Sequence, residues 1–216
     1  MTKSRDIANS TSTLDVDGGT IKLDGNYPVG TGNVALGDTA LDNLTSGGDY
    51  NVAIGPDAMT ANTSGNRNTA LGQNSLKTNT TGARNTAIGR TTLFSNTTGN
   101  YNTGSGSEAL LSNTTGSNNT SVGYQSLQSN TTANANTAVG YQALLDNTTG
   151  DSNTAQGFSA VANNTTGTNN TGIGRDALFT NTTGSFNTAI GDSALVYSTT
   201  ASYNTSVGYQ ALYANT

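Results

Sequence analysis

Residues 136–152 read NTAVGYQALLDNTTGDS, and residues 153–169 read NTAQGFSAVANNTTGTN. Both segments open on the same motif, an Asn followed by Thr, a small residue, a variable residue that is usually aliphatic, and Gly. With minor variants this motif recurs eleven times. The first step between copies is 18 residues, and the nine steps after it are 17 residues each. A fixed period without drift is typical of a repeat protein in which each unit stacks on a copy of itself.

The period predicts the fold. The working consensus is N-T-A-φ-G-x-x-A-L-x-x-N-T-T-G-x-x, where φ is aliphatic. Common helical repeats need about 33–47 residues, and Asn, Thr and Gly are poor helix formers, whereas Thr, Val and Ile suit strands. We therefore expect an all-β chain, a β-solenoid (β-roll) of eleven turns of about 17 residues. Each turn should hold a strand at N-T-A-φ and a second strand around A-L. Glycines at the fifth and fifteenth positions should supply the positive φ of the corners.

Alternation along the first strand divides its side chains between two faces. Thr69 and Leu71 should share one face, and Asn68 and Ala70 the other. We expect the aliphatic column that contains Leu71 to form a thin two-column core with the Leu column that contains Leu76. The Ala column then permits close approach of a partner subunit.

Stacking also places each motif Asn over another, about 4.8 Å away. Such columns form hydrogen-bonded amide ladders. The predicted structural ladder consists of Asn68, Asn85, Asn102, Asn119, Asn136, Asn153, Asn170, Asn187 and Asn204.

Composition argues against several function classes. The chain has no Cys and no His, which removes thiolate chemistry, the commonest general base and the usual transition-metal ligands. Thirteen acidic residues against eight basic ones leave no cationic stripe for nucleic acid. No two carboxylates form a convincing acid–base pair, and no run of eighteen apolar residues predicts membrane insertion. We expect no enzyme activity, no cofactor and no metal.

Departures from the consensus mark candidate surface residues. The sixth position is aromatic in three successive turns, at Tyr124, Tyr141 and Phe158, and again at Tyr209. Stacked turns would align such rings into a strip suited to the apolar faces of sugars; alternatively, the rings pack on each other or on a neighbouring subunit. Arg67 and Arg84, one turn apart at the seventeenth position, are expected to be solvated.

The first thirty residues lack the period. Within them TIKLD, residues 20–24, alternates as a strand does. The chain therefore divides into an N-terminal attachment or capping segment, 1–30, and a β-solenoid shaft, 31–216. Docking to another protein and covering the first open rung are both compatible with the shorter segment.

The repeats resemble those of a known class of proteins. NTAIG at 85–89, NTSVG at 119–123, NTAVGYQAL at 136–144 and NTSVGYQAL at 204–212 are similar to the repeats of bacteriophage tail-fibre proteins. More loosely, they are similar to the head repeats of YadA-like trimeric autotransporter adhesins, whose units are shorter. The resemblance covers residues 31–216. It implies a homotrimeric structural fibre of the virion that attaches to a host surface glycan or protein, with the N-terminal segment held by other tail or baseplate proteins.

Two alternatives stay open, a bacterial surface adhesin head and an ice-binding β-solenoid. Thr-rich β-rods can present flat hydroxyl arrays to ice. The N-T-T motif argues against this here, because adjacent residues such as Thr80 and Thr81 should point to opposite faces.

Overall fold

A computed structural model describes the backbone of residues 14–16 and 19–21 and the whole of residues 31–45 and 47–214. The first two segments are strands β1 (Leu14–Val16) and β2 (Gly19–Ile21), which pair antiparallel. The strand predicted at 20–24 overlaps β2 at its first two residues, and its remainder lies outside the described residues. The docking or capping role of the N-terminal segment therefore stays a prediction.

Each repeat contributes one strand of three residues, and eleven such strands form a single parallel sheet in chain order. Equivalent residues pair across every step, so that Ala70 lies between Ala53 and Ala87. The predicted β-solenoid of parallel, in-register turns is confirmed. The strands are β3 (Val34–Leu36), β4 (Val52–Ile54), β5 (Thr69–Leu71), β6 (Thr86–Ile88), β7 (Thr103–Ser105), β8 (Thr120–Val122), β9 (Thr137–Val139), β10 (Thr154–Gln156), β11 (Thr171–Ile173), β12 (Thr188–Ile190) and β13 (Thr205–Val207).

The core lies on the other side of these strands from the one the sequence suggested. Ala70 is completely buried, whereas Leu71 is 44% exposed. Alternation divides a strand between two faces but does not say which face is inside. Here the buried Leu column, which contains Leu76, fills the narrow interior and leaves room only for Ala opposite it. The predicted aliphatic half of the core is wrong, and the Ala column cannot receive a partner subunit.

The outward orientation of the aliphatic column explains its two interruptions. Ser105 and Gln156 replace an aliphatic residue at the fourth position, and both are accessible to solvent. A polar side chain there remains hydrated and incurs no burial penalty.

Side-chain volumes in the interior compensate between neighbouring turns. Gly104 replaces the usual Ala, and a Cβ there would lie 2.5 Å from Cγ2 of Thr92. Gly172 also replaces Ala, and a Cβ there would lie 2.4 Å from Cγ2 of Val161. The third position is therefore Gly where a β-branched side chain from the preceding turn occupies the Cβ space, as expected for a close-packed interior.

The second predicted strand, around A-L, is absent from the described turns. Residues at the seventh and ninth positions have left-handed backbone, for example Asn74 (φ 59°) and Leu76 (φ 50°). This conformation costs roughly 1–2 kcal/mol per residue, and the stack stabilises it, because Leu76 N–H still donates to the Thr92 carbonyl of the next turn at 3.0 Å. The segment is a series of tight turns that are hydrogen-bonded from rung to rung without being a strand.

The two glycine positions serve different purposes. Gly72, at the fifth position, has φ 134°, as the prediction requires. Gly82, at the fifteenth, does not have a positive φ. A Cβ at Gly82 would lie 2.4 Å from Oδ1 of Asn79 and 2.5 Å from the Gly99 carbonyl oxygen. Close approach of neighbouring turns therefore favours glycine at the fifteenth position, although Ala133 and Ala201 occupy it in two turns.

Candidate functional site

The motif asparagines form a buried structural column. Asn68 is fully buried; its Oδ1 accepts the main-chain N–H of Asn85 at 2.9 Å, and its Nδ2 donates to the Gly82 carbonyl of its own turn at 2.8 Å. Most of the column repeats this pattern, so each amide binds the next rung and closes its own turn. Direct amide-to-amide bonds are the exception, and join Asn119 to Asn102 and Asn204 to Asn187.

The continuous amide ladder lies in a second column, at the twelfth position. Asn79 Nδ2 donates to Asn62 Oδ1 at 3.0 Å and to the Gly82 carbonyl at 2.9 Å. The sequence carried a signal for this ladder, because the Asn of N-T-T-G repeats with the same period. These side chains are fully buried, which leaves them no surface for a ligand. The ladder consists of Asn62, Asn79, Asn96, Asn113, Asn130, Asn147, Asn164 and Asn181.

The exposed side of the sheet carries an aliphatic column beside a column of threonines. We call it the outer face and define it as the second and fourth positions of the repeat, which are the first and third residues of strands β3–β13. The second residue is Thr in nine successive turns, from Thr69 to Thr205, and the fourth is mostly Leu, Ile or Val, with Ile88 41% and Val122 40% exposed. The far side of each turn is polar: Thr80 Oγ1, for example, donates to the Thr97 carbonyl at 3.0 Å. The solenoid is therefore amphipathic around its axis.

Three of the predicted surface aromatics stack on one another. Tyr124 and Tyr141 have ring centroids 5.6 Å apart and planes 22° apart; for Tyr141 and Phe158 these values are 4.9 Å and 8°. Both faces of Tyr141 are covered, so the strip presents ring edges and hydroxyls, with free faces only at its two ends. A sugar lying along it would not meet a continuous set of ring faces. Recognition of a ligand by this strip stays a prediction. The contact would have to use the ring edges or the ring faces at the two ends of the strip.

Tyr209, the fourth predicted surface aromatic, stands apart from the strip. Arg175 and Asp192 occupy the sixth position in the two turns between Phe158 and Tyr209. Their side chains form a two-bond ion pair, Nε to Oδ2 and NH2 to Oδ1, both at 3.0 Å. This hydrogen-bonded pair raises the pKa of Arg175 and lowers the pKa of Asp192.

The seventeenth position forms a second aromatic column that sequence reasoning missed. Phe186 and Tyr203 stack there with centroids 5.1 Å apart and planes 1° apart. Arg67 lies over Tyr50, with Cζ 5.7 Å from the ring centroid, and Arg84 lies over Tyr101 at 5.1 Å. Both arginines are exposed, as expected, and each is oriented by a ring. The signal was present in the sequence, because these aromatics also recur at multiples of 17 residues.

Two further side chains have a pKa that is shifted by a neighbouring side chain. A hydrogen bond from the Thr39 hydroxyl, followed by the Lys77 ammonium 3.1 Å away, lowers the pKa of Asp57. A hydrogen bond with Tyr197 raises the pKa of Tyr213. Within the described ranges, no three His, Cys, Asp or Glu side chains gather where they could hold a metal ion. In the same ranges no helix is long and apolar enough to cross a membrane.

Comparison of the chain with family models, curated proteins and solved structures gave no match.

Proposed function

We propose that this chain is the repeat shaft of a virion appendage, a bacteriophage tail fibre that takes part in attachment to the host surface. The observation that carries the proposal is the outer face. Eleven rungs at about 4.8 Å give a rod of roughly 50 Å, and one side of it presents aliphatic side chains on nearly every rung. Long exposed apolar surfaces of this kind mark interaction sites.

The proposed occupant of this face is two further copies of the chain, in a homotrimer with the three outer faces around one axis. The face is about 50 Å long, and the six residue steps from the seventeenth-position column on one border to the sixth-position column on the other span about 20 Å. The face of roughly 1,000 Å² would be buried against two neighbours together, and this total per chain is on the scale of the roughly 800 Å² that each partner buries in a stable complex. Such an assembly would be a stiff spacer, with polar Asn-Thr-Thr corners outside and aliphatic side chains inside.

Light scattering on the intact protein tests the assembly, with a mass of three chains expected. Replacing Ile88 and Val122 with Asp should reduce the mass to that of one chain, because two charges per chain would enter an apolar contact. The matched control replaces Thr98 and Thr115, exposed on the polar side, with Asp and should leave the mass unchanged. A one-chain mass for the unmodified protein would overturn the trimer and leave the solenoid intact.

The location on a virion needs a separate test. Gold-labelled antibodies against this chain should decorate the distal appendages of intact particles. Labelling of bacterial surfaces instead would favour the adhesin interpretation.

One observation favours ice binding as a second candidate. Thr69 and its equivalents at the second position point outward, beside an aliphatic column two residues along the strand. This gives a flat array with spacings of about 4.8 Å along the rod and about 6.6 Å across it. The objection from N-T-T concerns the opposite side of the turn and does not apply to this face.

The two candidates exclude each other on this face, because a trimer would bury the surface that ice must touch. Thermal hysteresis at micromolar protein, abolished by Thr137→Tyr with Thr154→Tyr, would support ice binding. A three-chain mass without hysteresis would support the fibre.

A further inference from the structure

Charge is segregated along the rod although the chain as a whole is acidic. Residues 58–107 contain four basic residues and no acidic one, whereas the net charge of the whole chain is −5. This stretch spans about three consecutive rungs, roughly 14 Å of the rod, which is comparable to the distance over which salt screens exposed charges. A cationic band therefore encircles an otherwise acidic rod.

Two of the four cations are neutralised at the edges of this band. Lys77 pairs with Asp57 at 3.1 Å, and Arg90 pairs with Glu108 at 2.8 Å. The other two, Arg67 and Arg84, have no carboxylate within 4.0 Å among the described residues. Every other basic residue in residues 31–45 and 47–214 has one.

Arg67 and Arg84 lie on adjacent rungs of the seventeenth-position column, between Tyr50 and Tyr101. The Arg67 guanidinium lies over the Tyr50 ring, and the Arg84 guanidinium lies over the Tyr101 ring. Arg84 also donates to the Tyr101 hydroxyl. Arg67 donates to Oδ1 of Asn66 at 3.3 Å. The aromatic contacts orient two flexible side chains whose backbones are about 4.8 Å apart, Arg67 toward Tyr50 and Arg84 toward Tyr101. Two unneutralised arginines therefore stand one rung apart in the same column, and both are exposed to solvent.

We propose that Arg67 and Arg84 form a binding site for the oxyanion groups of an acidic polysaccharide. A single guanidinium matches a sulfate, phosphate or carboxylate group through two parallel N–H···O bonds, and a polymer that carries several such groups can engage both arginines. Tyr50 and Tyr101 border the site, so a sugar chain would find tyrosine rings beside the charges. The choice of a polysaccharide as the source of the anion rests on the proposed attachment function; the oxyanion chemistry does not.

The test is binding of the intact protein to dextran sulfate, with unsulfated dextran and inorganic sulfate as comparison ligands, measured by calorimetry at low and physiological salt. Dextran sulfate should bind and dextran should not. Inorganic sulfate should compete only at far higher concentration. Binding of sulfate as tight as that of the polymer would overturn the polysaccharide assignment.

Matched variants separate this pair from general charge. Arg67→Gln with Arg84→Gln should weaken dextran sulfate binding by about tenfold or more and reduce its salt dependence. Arg90→Gln with Arg175→Gln removes the same charge from ion-paired positions and should change affinity by less than about twofold. Arg67→Lys with Arg84→Lys keeps the charge, loses the planar fork and should be intermediate.

Equal losses in the two Gln variants, or no binding by the unmodified protein, would overturn the proposal. Its failure is distinguishable from that of the fibre proposal. A chain absent from virions that still binds dextran sulfate would remove the fibre alone, and a virion fibre without this binding would remove the site alone.

Discussion

The amide ladder of the twelfth position ends at Ser198, which leaves a defect that a single substitution should repair. Oδ1 of Asn181 and Oγ of Ser198 are buried without a hydrogen-bond partner. At Asn164, one rung before Asn181, the pattern is complete: Asn164 Nδ2 donates to Asn147 Oδ1 at 2.7 Å and to the Gly167 carbonyl at 2.9 Å. Ser198→Asn should extend the ladder by one rung.

The magnitude follows from the two bonds gained. Each hydrogen bond contributes about 0.5–1.5 kcal/mol net, and an unsatisfied buried group costs about 1–3 kcal/mol. We expect the free energy of unfolding to rise by about 1–3 kcal/mol. Ala201 stands where most turns have Gly, but the turn with Asn130 and Ala133 shows that an Asn still fits, with its bond at 3.2 Å.

The assay is guanidinium denaturation of Ser198→Asn beside Ser198→Ala, with hydrogen exchange of the last turns, because repeat proteins can unfold in parts. The Ala variant removes the unsatisfied hydroxyl but adds no donor, so it should gain less. If the Asn variant is no more stable than the Ala variant, the ladder does not stabilise this solenoid as argued.

Three further predictions follow from the same structure. Gly104→Ala should destabilise the fold by about 1–3 kcal/mol through overpacking, and adding Thr92→Ala should restore most of that loss; additive effects of the two changes in denaturation would contradict the packing argument. Leu93→Thr should lower the free energy of unfolding by about 2–5 kcal/mol, because a buried apolar side chain is shortened and a hydroxyl enters the core. Ile88→Thr, on the outer face, should change the stability of the monomer by less than about 0.5 kcal/mol. Equal losses of stability in urea denaturation would contradict the assignment of the two faces. The folded pKa of Asp192 is lowered, so its ion pair should stabilise the fold above the ordinary aspartate pKa of 3.8 and lose that effect as pH falls through the lowered value. Asp192→Asn should therefore be slightly less stable than the unmodified protein at neutral pH and equal to it in acid; a gap that widens in acid would refute the sign.

The sequence predicts the stacking but not the side of the strand that is buried. A drift-free period forces equivalent residues into register, which is why the parallel pairing follows from spacing alone. Ala70 and Leu71 differ by one position, and hydrophobicity favoured Leu71 for the core. The interior, however, is so narrow that Leu76 and its equivalents fill it, and only the closed turn shows this.

The local backbone was also beyond prediction from residue types. Left-handed φ at Leu76 goes against its intrinsic preference and is imposed by hydrogen bonds to neighbouring turns. The stacking of Arg67 on Tyr50 could have been inferred, because both belong to the seventeenth-position column.

The central claim, that equivalent residues lie one above another at a fixed rise, can be measured directly. The chain has no native Cys, so spin labels can be attached at Thr81→Cys with Thr149→Cys, four rungs apart, and at Thr81→Cys with Thr183→Cys, six rungs apart. All three sites are exposed on the polar side. Pulsed electron–electron distances, with labelled chains diluted in unlabelled ones, should be about 19 Å and about 29 Å. Two equal distances, or a shorter one for the pair with the larger separation, would contradict the solenoid.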